Sequence, residues 1–199
     1  MQVRVIVFDV QELRQIWKEV LPKIDVNHLV FLDESGVNIN MTRSYGRSIG
    51  KKRVVEKVPL KRSKRRSIVG AIRVDGTIRY RTFEGSINGK RFLEYLKVTL
   101  LPSIKPLDIV IMDNLNVHKV KGVEELILSV GAIPLYLPAY SPDLNPIELM
   151  WSKVKSFLKS WKIREIDLLK NYIRKAILKV NQLDIINWFN HIGYTTINF

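Results

Sequence analysis

Residues 108–114 read Asp-Ile-Val-Ile-Met-Asp-Asn, and this stretch decides the fold class of the chain. Its four consecutive apolar residues are typical of a short strand in the buried centre of a sheet. The run stops at Asp113-Asn114, two residue types that favour turns. A strand that is apolar throughout needs cover on both faces, so we expect an α/β fold with this strand in the interior of the sheet.

A β-hairpin is the clearest local pattern upstream of this strand. Two β-rich runs, residues 67–74 and 77–83, flank Asp75-Gly76, a dipeptide that suits tight hairpin turns. Residues 28–32 form another apolar run, which leads directly into the turn signal Asp33-Glu34-Ser35-Gly36 before strand character returns near residue 37. We therefore expect three antiparallel strands at the start, with Asp33 at the end of the first run.

Caps and helical periodicity account for most of the remaining chain. A capping box at Asp9 begins a lead helix that runs to about residue 21. Residues 132–137 predict a fifth strand, placed at or near an edge because Pro134 cannot donate to a ladder. Asn145 as N-cap and Pro146 as first helical residue begin a long helix after it. Further helices are predicted over residues 88–101, 121–130, 165–180 and 183–191.

These elements together predict one five-stranded mixed sheet with antiparallel first three strands and helices on both faces. The order is compatible with a ribonuclease H-like layout of the α/β class. Local patterns do not reveal the order of the strands within the sheet.

The composition narrows the possible partners and metals. The 199 residues suit one domain, carry a formal net charge of +14 and include no cysteine. Such a basic excess favours a polyanionic partner, either nucleic acid or an anionic membrane surface. No apolar run approaches the ~20 residues of a membrane span, and the N-terminus lacks a signal-peptide pattern. Without thiolates and with only three histidines, a metal site would use oxygen ligands, as Mg²⁺ and Mn²⁺ prefer.

The positive charge is concentrated between residues 51 and 66, where nine Lys or Arg accompany one acid, Glu56, for a net +8. An isolated run of this kind is as often a solvated loop or a localisation signal as a binding site. Here it interrupts the expected sheet, which favours a DNA-contacting loop or hairpin. The candidate DNA contacts are Lys51, Lys52, Arg53, Lys61, Arg62, Lys64, Arg65 and Arg66.

Three acids hold special positions: Asp33 after the first strand, Asp113 after the most apolar strand, and Glu148 one turn into the long helix. If the two strands are parallel neighbours, both aspartates emerge at the carboxyl edge of the sheet, where α/β folds place their sites. Two divalent ions held there would activate a nucleophile and stabilise a leaving alkoxide in phosphodiester cleavage. Each acid also has a simpler interpretation: an Asx-turn for Asp33, a turn pair for Asp113, and a capping box for Glu148.

Three segments resemble the catalytic signatures of mariner-like transposases, in particular of their bacterial insertion-sequence branch. They are residues 31–35 (Phe-Leu-Asp-Glu-Ser), residues 111–114 (Ile-Met-Asp-Asn) with His118-Lys119, and residues 140–148 (Tyr-Ser-Pro-Asp-Leu-Asn-Pro-Ile-Glu). The last segment is highly specific, and the 34 residues between Asp113 and Glu148 are a spacing typical of the group. The likeness covers roughly residues 10–188.

We predict a linker and lead helix over residues 1–25, although residues 1–7 do not resemble the linker of the family. The resemblance implies a ribonuclease H-like DDE catalytic domain with C-terminal helices over residues 26–199. It implies two Mg²⁺ or Mn²⁺ ions at Asp33, Asp113 and Glu148, cut-and-paste cleavage of DNA ends with strand transfer, and insertion at TA dinucleotides. Further members of these signatures become candidates for supporting the metal ligands or positioning phosphate: Asn114, His118, Asp143 and Asn145. For His118, a surface position near a helix start is an equally plain alternative.

One departure concerns the N-terminus. Members of this family usually carry a helix-turn-helix region that recognises the terminal repeats, and the 32 residues before Asp33 leave no room for it. Our hypothesis is a catalytic half, encoded as a second reading frame joined by frameshifting or left by truncation, that binds double-stranded DNA through its backbone.

Further expectations follow from the resemblance. Handling transposon ends and target together implies a homodimer on DNA, and the bacterial cytoplasm, at the nucleoid, is the expected location, with no membrane partner. Two other functions stay open: a ribonuclease H-like nuclease that does not transpose, and an inactive DNA-binding remnant of a decayed element.

Overall fold

Five strands and six α-helices build the domain in the computed structural model, which describes residues 9–43, 45–50, 53–55, 57 and 65–194. The strands are β1 (Leu29–Asn38), β2 (Arg65–Ile72), β3 (Ile78–Glu84), β4 (Ile109–Met112) and β5 (Ile133–Tyr136). The helices are α1 (Val10–Val20), α2 (Gly89–Tyr95), α3 (Val123–Leu128), α4 (Ile147–Trp161), α5 (Ile166–Ile177) and α6 (Gln182–Ile192). Helix α2 continues as a π-helical turn over Leu96–Leu100.

The strands form a single sheet in the order β3-β2-β1-β4-β5. Strand β2 runs antiparallel to β1 and to β3, whereas β4 runs parallel to β1 and to β5. The predicted mixed sheet with an antiparallel start is therefore confirmed. The apolar run of residues 108–112 supplies β4, which is interior and buried, and Pro134 lies in an edge strand, as predicted.

Helices cover both faces of the sheet, as predicted, because the side chains of each strand alternate between two cores. Leu29 and Phe31 of β1 belong to the core beneath α4, α5 and α6, and Trp17 of α1 belongs to it as well. Val30 and Leu32 belong to the opposite core, which α2 and α3 cover. The first of these cores determines where the candidate site forms, since α4 lies across it.

Strand β1 is one continuous strand, so the prediction that Asp33 ends it is wrong. Each residue from Asp33 to Gly36 has a cross-strand partner in β2, from Gly70 to Ser67. Turn propensity is a weak local preference, and an eight-residue antiparallel ladder outweighs it. The Asx-turn interpretation of Asp33 is excluded by the same pairing.

Two helices begin or pack differently from the prediction. Helix α4 begins at Ile147 with Pro146 at the cap position, and Asn145 is one residue further out, where its Oδ1 accepts from the Ile147 amide at 3.4 Å. The capping-box interpretation of Glu148 is not supported, because no side chain caps α4. Helix α1 has the predicted capping box, but of its apolar stripe only Trp17 is buried.

The described part of the chain contains no helix that is both long and apolar enough to cross a bilayer.

Candidate active site

The two aspartates occupy matching positions on neighbouring parallel strands. Phe31 of β1 pairs with Ile111 of β4, and Asp33 and Asp113 each lie two residues beyond that pair. Because side chains alternate with period two, both carboxylates belong to the face that carries Phe31 and Ile111. Asp33 remains inside β1 and is only 6% exposed, whereas Asp113 follows the last residue of β4. The predicted meeting of the aspartates at one edge thus holds, with one of them deeper in the sheet.

Glu148 reaches the same edge from the first turn of α4. The three acids line one open cleft of about 380 Å³, together with Asn114, Asn145 and the loop from Leu137 to Pro142. Within the described residues, no group of three or more carboxylate or imidazole side chains is close enough to enclose an ion as it stands. The carboxylates therefore surround the cleft without converging on a single point.

Burial and mutual repulsion shape the titration of these acids. Burial raises the pKa of Asp33 to about 7, with the charges of Glu148 and Asp113 adding to the effect. The amide of Glu34 and the indole of Trp151 act in the opposite direction. Burial also raises the pKa of Glu148, with a smaller contribution from Asp113, while Lys155 lowers it. Close carboxylates of this kind favour a cation between them.

His118 is completely buried beside Asp113, so the alternative of a surface position is wrong. Its Nδ1 lies 2.6 Å from Asp113 Oδ1, and its Nε2 lies 3.5 Å from Glu34 Oε1. The ring packs on Phe92 with a centroid distance of 4.5 Å. Burial acts to lower the pKa of His118, but the hydrogen bond to Asp113 and the nearby Glu34 carboxylate outweigh it and raise the pKa to about 9. His118 is therefore an imidazolium at neutral pH.

Glu34 and Trp151 are two neighbours of the site that the sequence interpretation missed. The sequence interpretation assigned Glu34 to a turn. In a strand, consecutive side chains point to opposite faces of the sheet, so Glu34 lies on the face opposite to Asp33. Trp151 was assigned only to the apolar stripe of α4, yet its indole Nε1 donates to Asp33 Oδ2 at 3.0 Å. Its spacing of three residues from Glu148, about one helical turn, was the available signal.

The other signature residues divide into two groups. Asn114 is exposed in the cleft wall, and Asn145 is buried there, so both remain near the acids. Asp143 is instead held by Arg14 of α1, whose Nη1 and Nη2 donate to its two oxygens at 2.9 Å and 2.5 Å. This guanidinium also lowers the pKa of Asp143. The predicted role of Asp143 beside the metal ligands is replaced by a tether between α1 and the loop before α4.

The structure tests only part of the basic segment. Arg53 is exposed, and Arg65 is exposed at the start of β2. The prediction that Arg66 contacts DNA is wrong. Arg66 is 7% exposed, and its Nη2 donates to Glu84 Oε1 of β3 at 2.9 Å. Its side chain stabilises the sheet and is not free for DNA. The other candidates lie outside the described residues: Lys51, Lys52, Lys61, Arg62 and Lys64.

Comparison with known proteins identifies the family. Residues 28–170 match the family described as DDE superfamily endonuclease, and the chain belongs to this family. No sequence among curated proteins matches the chain.

Solved structures of the Mos1 transposase share the fold. The Mos1 paired-end complex with the left transposon end superposes with a TM-score of 0.79 at 16% identity, over 96% of this chain and 62% of that chain. The Mos1 mariner paired-end complex with Mn gives 0.72 at 16% identity, over 96% and 61%. The Mos1 mariner catalytic domain gives 0.64 at 14% identity, over 92% and 84%.

This likeness confirms the predicted ribonuclease H-like fold. The chain spans about three fifths of the length of the first two of these proteins.

Proposed function

We propose that this chain is the catalytic domain of a DNA transposase, which cuts transposon ends and joins them to target DNA. The observation that carries the proposal is the meeting of Asp33, Asp113 and Glu148 in one cleft, from two parallel strands and a helix. Membership of the DDE superfamily endonucleases supports phosphodiester chemistry at these acids.

The three carboxylates suit a pair of Mg²⁺ or Mn²⁺ ions. All three are hard oxygen ligands. Burial, with a smaller contribution from the neighbouring carboxylates, raises the pKa values of Asp33 and Glu148, and a bound cation would favour their ionised forms. A Mos1 mariner paired-end complex was solved with Mn, which supports the same choice of metal. When bound, such ions lower the pKa of an attacking water or hydroxyl and stabilise the leaving oxygen.

Other residues of the chain hold the carboxylates in place and contact the DNA during that chemistry. His118 holds the Asp113 carboxylate by its Nδ1, and Trp151 holds the Asp33 carboxylate by its Nε1. Asn114 is exposed in the cleft wall, where its amide can hydrogen-bond a phosphate oxygen. Arg53 and Arg65 provide exposed positive charge for the DNA backbone.

The finer assignment is part of the same proposal. We place the chain in the bacterial insertion-sequence branch of mariner-like transposases, with cut-and-paste movement, TA target sites and a homodimer on DNA. The Tyr140–Glu148 signature and the net charge of +14 support it. Recognition of the terminal repeats would fall to a separate or frameshift-joined N-terminal portion, and the complex would act at the bacterial nucleoid.

A cleavage assay tests the proposal. Labelled duplex DNA is incubated with Mn²⁺ and either wild type, Asp113→Ala or Glu94→Ala. Glu94 is a matched control, because it is an exposed acid that pairs with Arg81 away from the cleft. We expect cleavage by wild type and by Glu94→Ala, and none by Asp113→Ala. Equal cleavage by all three proteins, or none by any, would contradict an enzymatic role for this chain.

The assay also separates the other two functions. Cleavage of RNA–DNA hybrids without joining of DNA ends would favour a ribonuclease H-like nuclease. Salt-sensitive DNA binding without any cleavage would favour an inactive remnant.

A further inference from the structure

Trp151 is a buried tryptophan whose only polar atom is directed at a predicted metal ligand. It is 1% exposed, and its Nε1 donates to Asp33 Oδ2 at 3.0 Å. Buried indole N–H groups usually find an acceptor, and most side-chain hydrogen bonds in proteins go to the backbone or to water. Here the acceptor is a carboxylate that is itself 6% exposed. One of the two oxygens of Asp33 is thus held in place by α4.

Gly70 leaves the space that this arrangement needs. It is the direct cross-strand partner of Asp33 in β2, so a side chain at position 70 would lie beside the Asp33 carboxylate on the same face. A Cβ at Gly70 would stand 2.8 Å from Cη2 and 3.2 Å from Cζ2 of Trp151. The φ of Gly70 is not in the left-handed region, so the space and not the backbone conformation requires glycine here.

Helix α4 therefore contributes to two of the three carboxylates. Glu148 is in its first turn, and Trp151 follows one turn later on the buried side. The helix docks over the core that contains Phe31 and Ile111, the residues that precede the two aspartates by two positions. A shift of α4 would move Glu148 and release Asp33 together.

We infer that Trp151, in the space left by Gly70, is a positioning residue that orients the Asp33 carboxylate for metal binding. The inference rests on the proposed function, because it assumes that Asp33 binds a divalent ion. Residues that hydrogen-bond to metal ligands set their orientation, and their loss weakens metal affinity by about 10- to 100-fold.

Trp17 offers a matched control in the same protein. It is also buried, at 7% exposure, and its Nε1 donates to Tyr194 Oη at 2.9 Å. Trp17→Phe and Trp151→Phe each remove one indole N–H and keep an aromatic ring. Each variant loses one buried hydrogen bond of an indole N–H. Only Trp151→Phe loses a hydrogen bond to a candidate metal ligand, so only that variant should change metal binding.

The first measurement is the binding of Mn²⁺ to the full chain without DNA, followed by electron paramagnetic resonance of the free ion. We expect Trp151→Phe to weaken the affinity by about 10-fold, whereas Trp17→Phe, which removes no hydrogen bond to any of the three acids, changes it by less than about twofold. Gly70→Ala keeps every hydrogen-bonding group but displaces the indole, and it should weaken the affinity in the same direction. Equal affinity of Trp151→Phe and Trp17→Phe would overturn the inference.

The second measurement is the indole N–H region of a ¹⁵N NMR spectrum, which needs no activity and no metal. The chain has four tryptophans, and the two Phe variants assign the signals of Trp151 and Trp17. Asp33→Asn should shift the Trp151 signal, because the acceptor of the indole N–H changes from a carboxyl oxygen to an amide group, and should leave the Trp17 signal in place. An unmoved Trp151 signal would overturn the inference whatever the Mn²⁺ affinities of the variants are.

Failure of the proposed function would give a different result in the Mn²⁺-binding measurement from failure of the inference about Trp151. If the proposed function fails, wild type itself would not bind Mn²⁺, or Asp113→Ala would bind it as well as wild type. If wild type binds the ion and Asp113→Ala does not, while Trp151→Phe matches Trp17→Phe, only the inference about Trp151 fails.

Discussion

The His118 imidazole lies 2.6 Å from the Asp113 carboxylate and is completely buried, so a cation inside the domain holds the acid that follows β4. Its other nitrogen faces Glu34, the neighbour of Asp33 in β1. The imidazole thereby lies between the end of β4 and the middle of β1, the two strands that position the aspartates. This contact has a measurable consequence for metal binding.

We expect His118→Gln to reduce Mn²⁺ affinity and Mn²⁺-dependent cleavage by about 10-fold or more, because the support of a metal ligand is lost. The same change should also lower the melting temperature, since Glu34 and Asp113 would lose a charged partner. His191→Gln is the control, because His191 is exposed at the end of α6. Unchanged affinity in a folded His118→Gln protein would argue against this role.

The Arg14–Asp143 pair should contribute only modestly to stability. Its geometry is bidentate, but the Asp143 side chain is 57% exposed and solvent screens the attraction. A double-mutant cycle with Arg14→Ala and Asp143→Ala, measured by chemical denaturation, should give a coupling free energy of about 0.5–1 kcal/mol. A coupling near zero would show that the pair does not hold α1 against the loop before α4.

Arg73 and Asp108 form a buried ion pair whose loss should be far more costly. Asp108 is fully buried, and it accepts hydrogen bonds from Arg73 Nη1 at 2.5 Å and from Arg73 Nη2 at 3.1 Å. Removing one partner of such a pair leaves an uncompensated charge. We expect Asp108→Ala to lower the free energy of unfolding by about 3–5 kcal/mol. Urea denaturation at neutral pH measures this, and a loss below 1 kcal/mol would contradict it.

The same pair predicts a dependence of stability on pH. Burial acts to raise the pKa of Asp108, but hydrogen bonds from Arg73 and the Lys105 amide outweigh it and lower the pKa. A carboxylate with a lowered folded-state pKa stabilises the protein fully above the unfolded value of about 3.9. That contribution is lost as the pH falls through the folded-state pKa. The stability difference between wild type and Asp108→Asn should therefore shrink below about pH 4; a constant difference would refute the assignment.

Arg65 and Arg66 are adjacent in sequence but should behave differently in DNA binding. Arg65 is exposed, whereas Arg66 is buried and pairs with Glu84. Arg65→Ala should reduce the slope of log affinity against log salt by about 0.9, as expected for one lost phosphate contact. Arg66→Ala should leave the slope unchanged and lower the melting temperature. Fluorescence anisotropy over a range of salt concentrations tests both, and equal slopes for the two variants would contradict the distinction.

Much of the fold could be predicted from the sequence because its signals are local. The apolar run of β4, the Asp-Gly turn between β2 and β3, and the capping box of α1 each depend on residues within a few positions of one another. The edge position of β5 followed from Pro134 alone, since a proline lacks the N–H that an interior strand must donate. The three acids were found in the same way, from their positions after strands and at a helix start.

The errors have a common physical origin in contacts between distant segments. Asp33 to Gly36 has the composition of a turn, yet pairing with β2 keeps it extended. Arg66 and Asp143 belong to motifs that suggest DNA or metal contacts, yet Glu84 and Arg14 occupy their charges. A local pattern does not contain the partner that a side chain will meet.

The sequence by itself determined most element types and the sheet class, and it singled out the three candidate acids, because periodicity, caps and turns are properties of neighbouring residues. Only the tertiary structure decided that Asp33 lies within a strand, that His118 is buried between Asp113 and Glu34, and that Trp151 fills the space above Gly70 to reach Asp33. Those relationships join residues 5 to 118 positions apart. They arise from the register of the strands and from the docking of α4 on the sheet. Both depend on burial of the whole core, which involves residues far apart in the sequence.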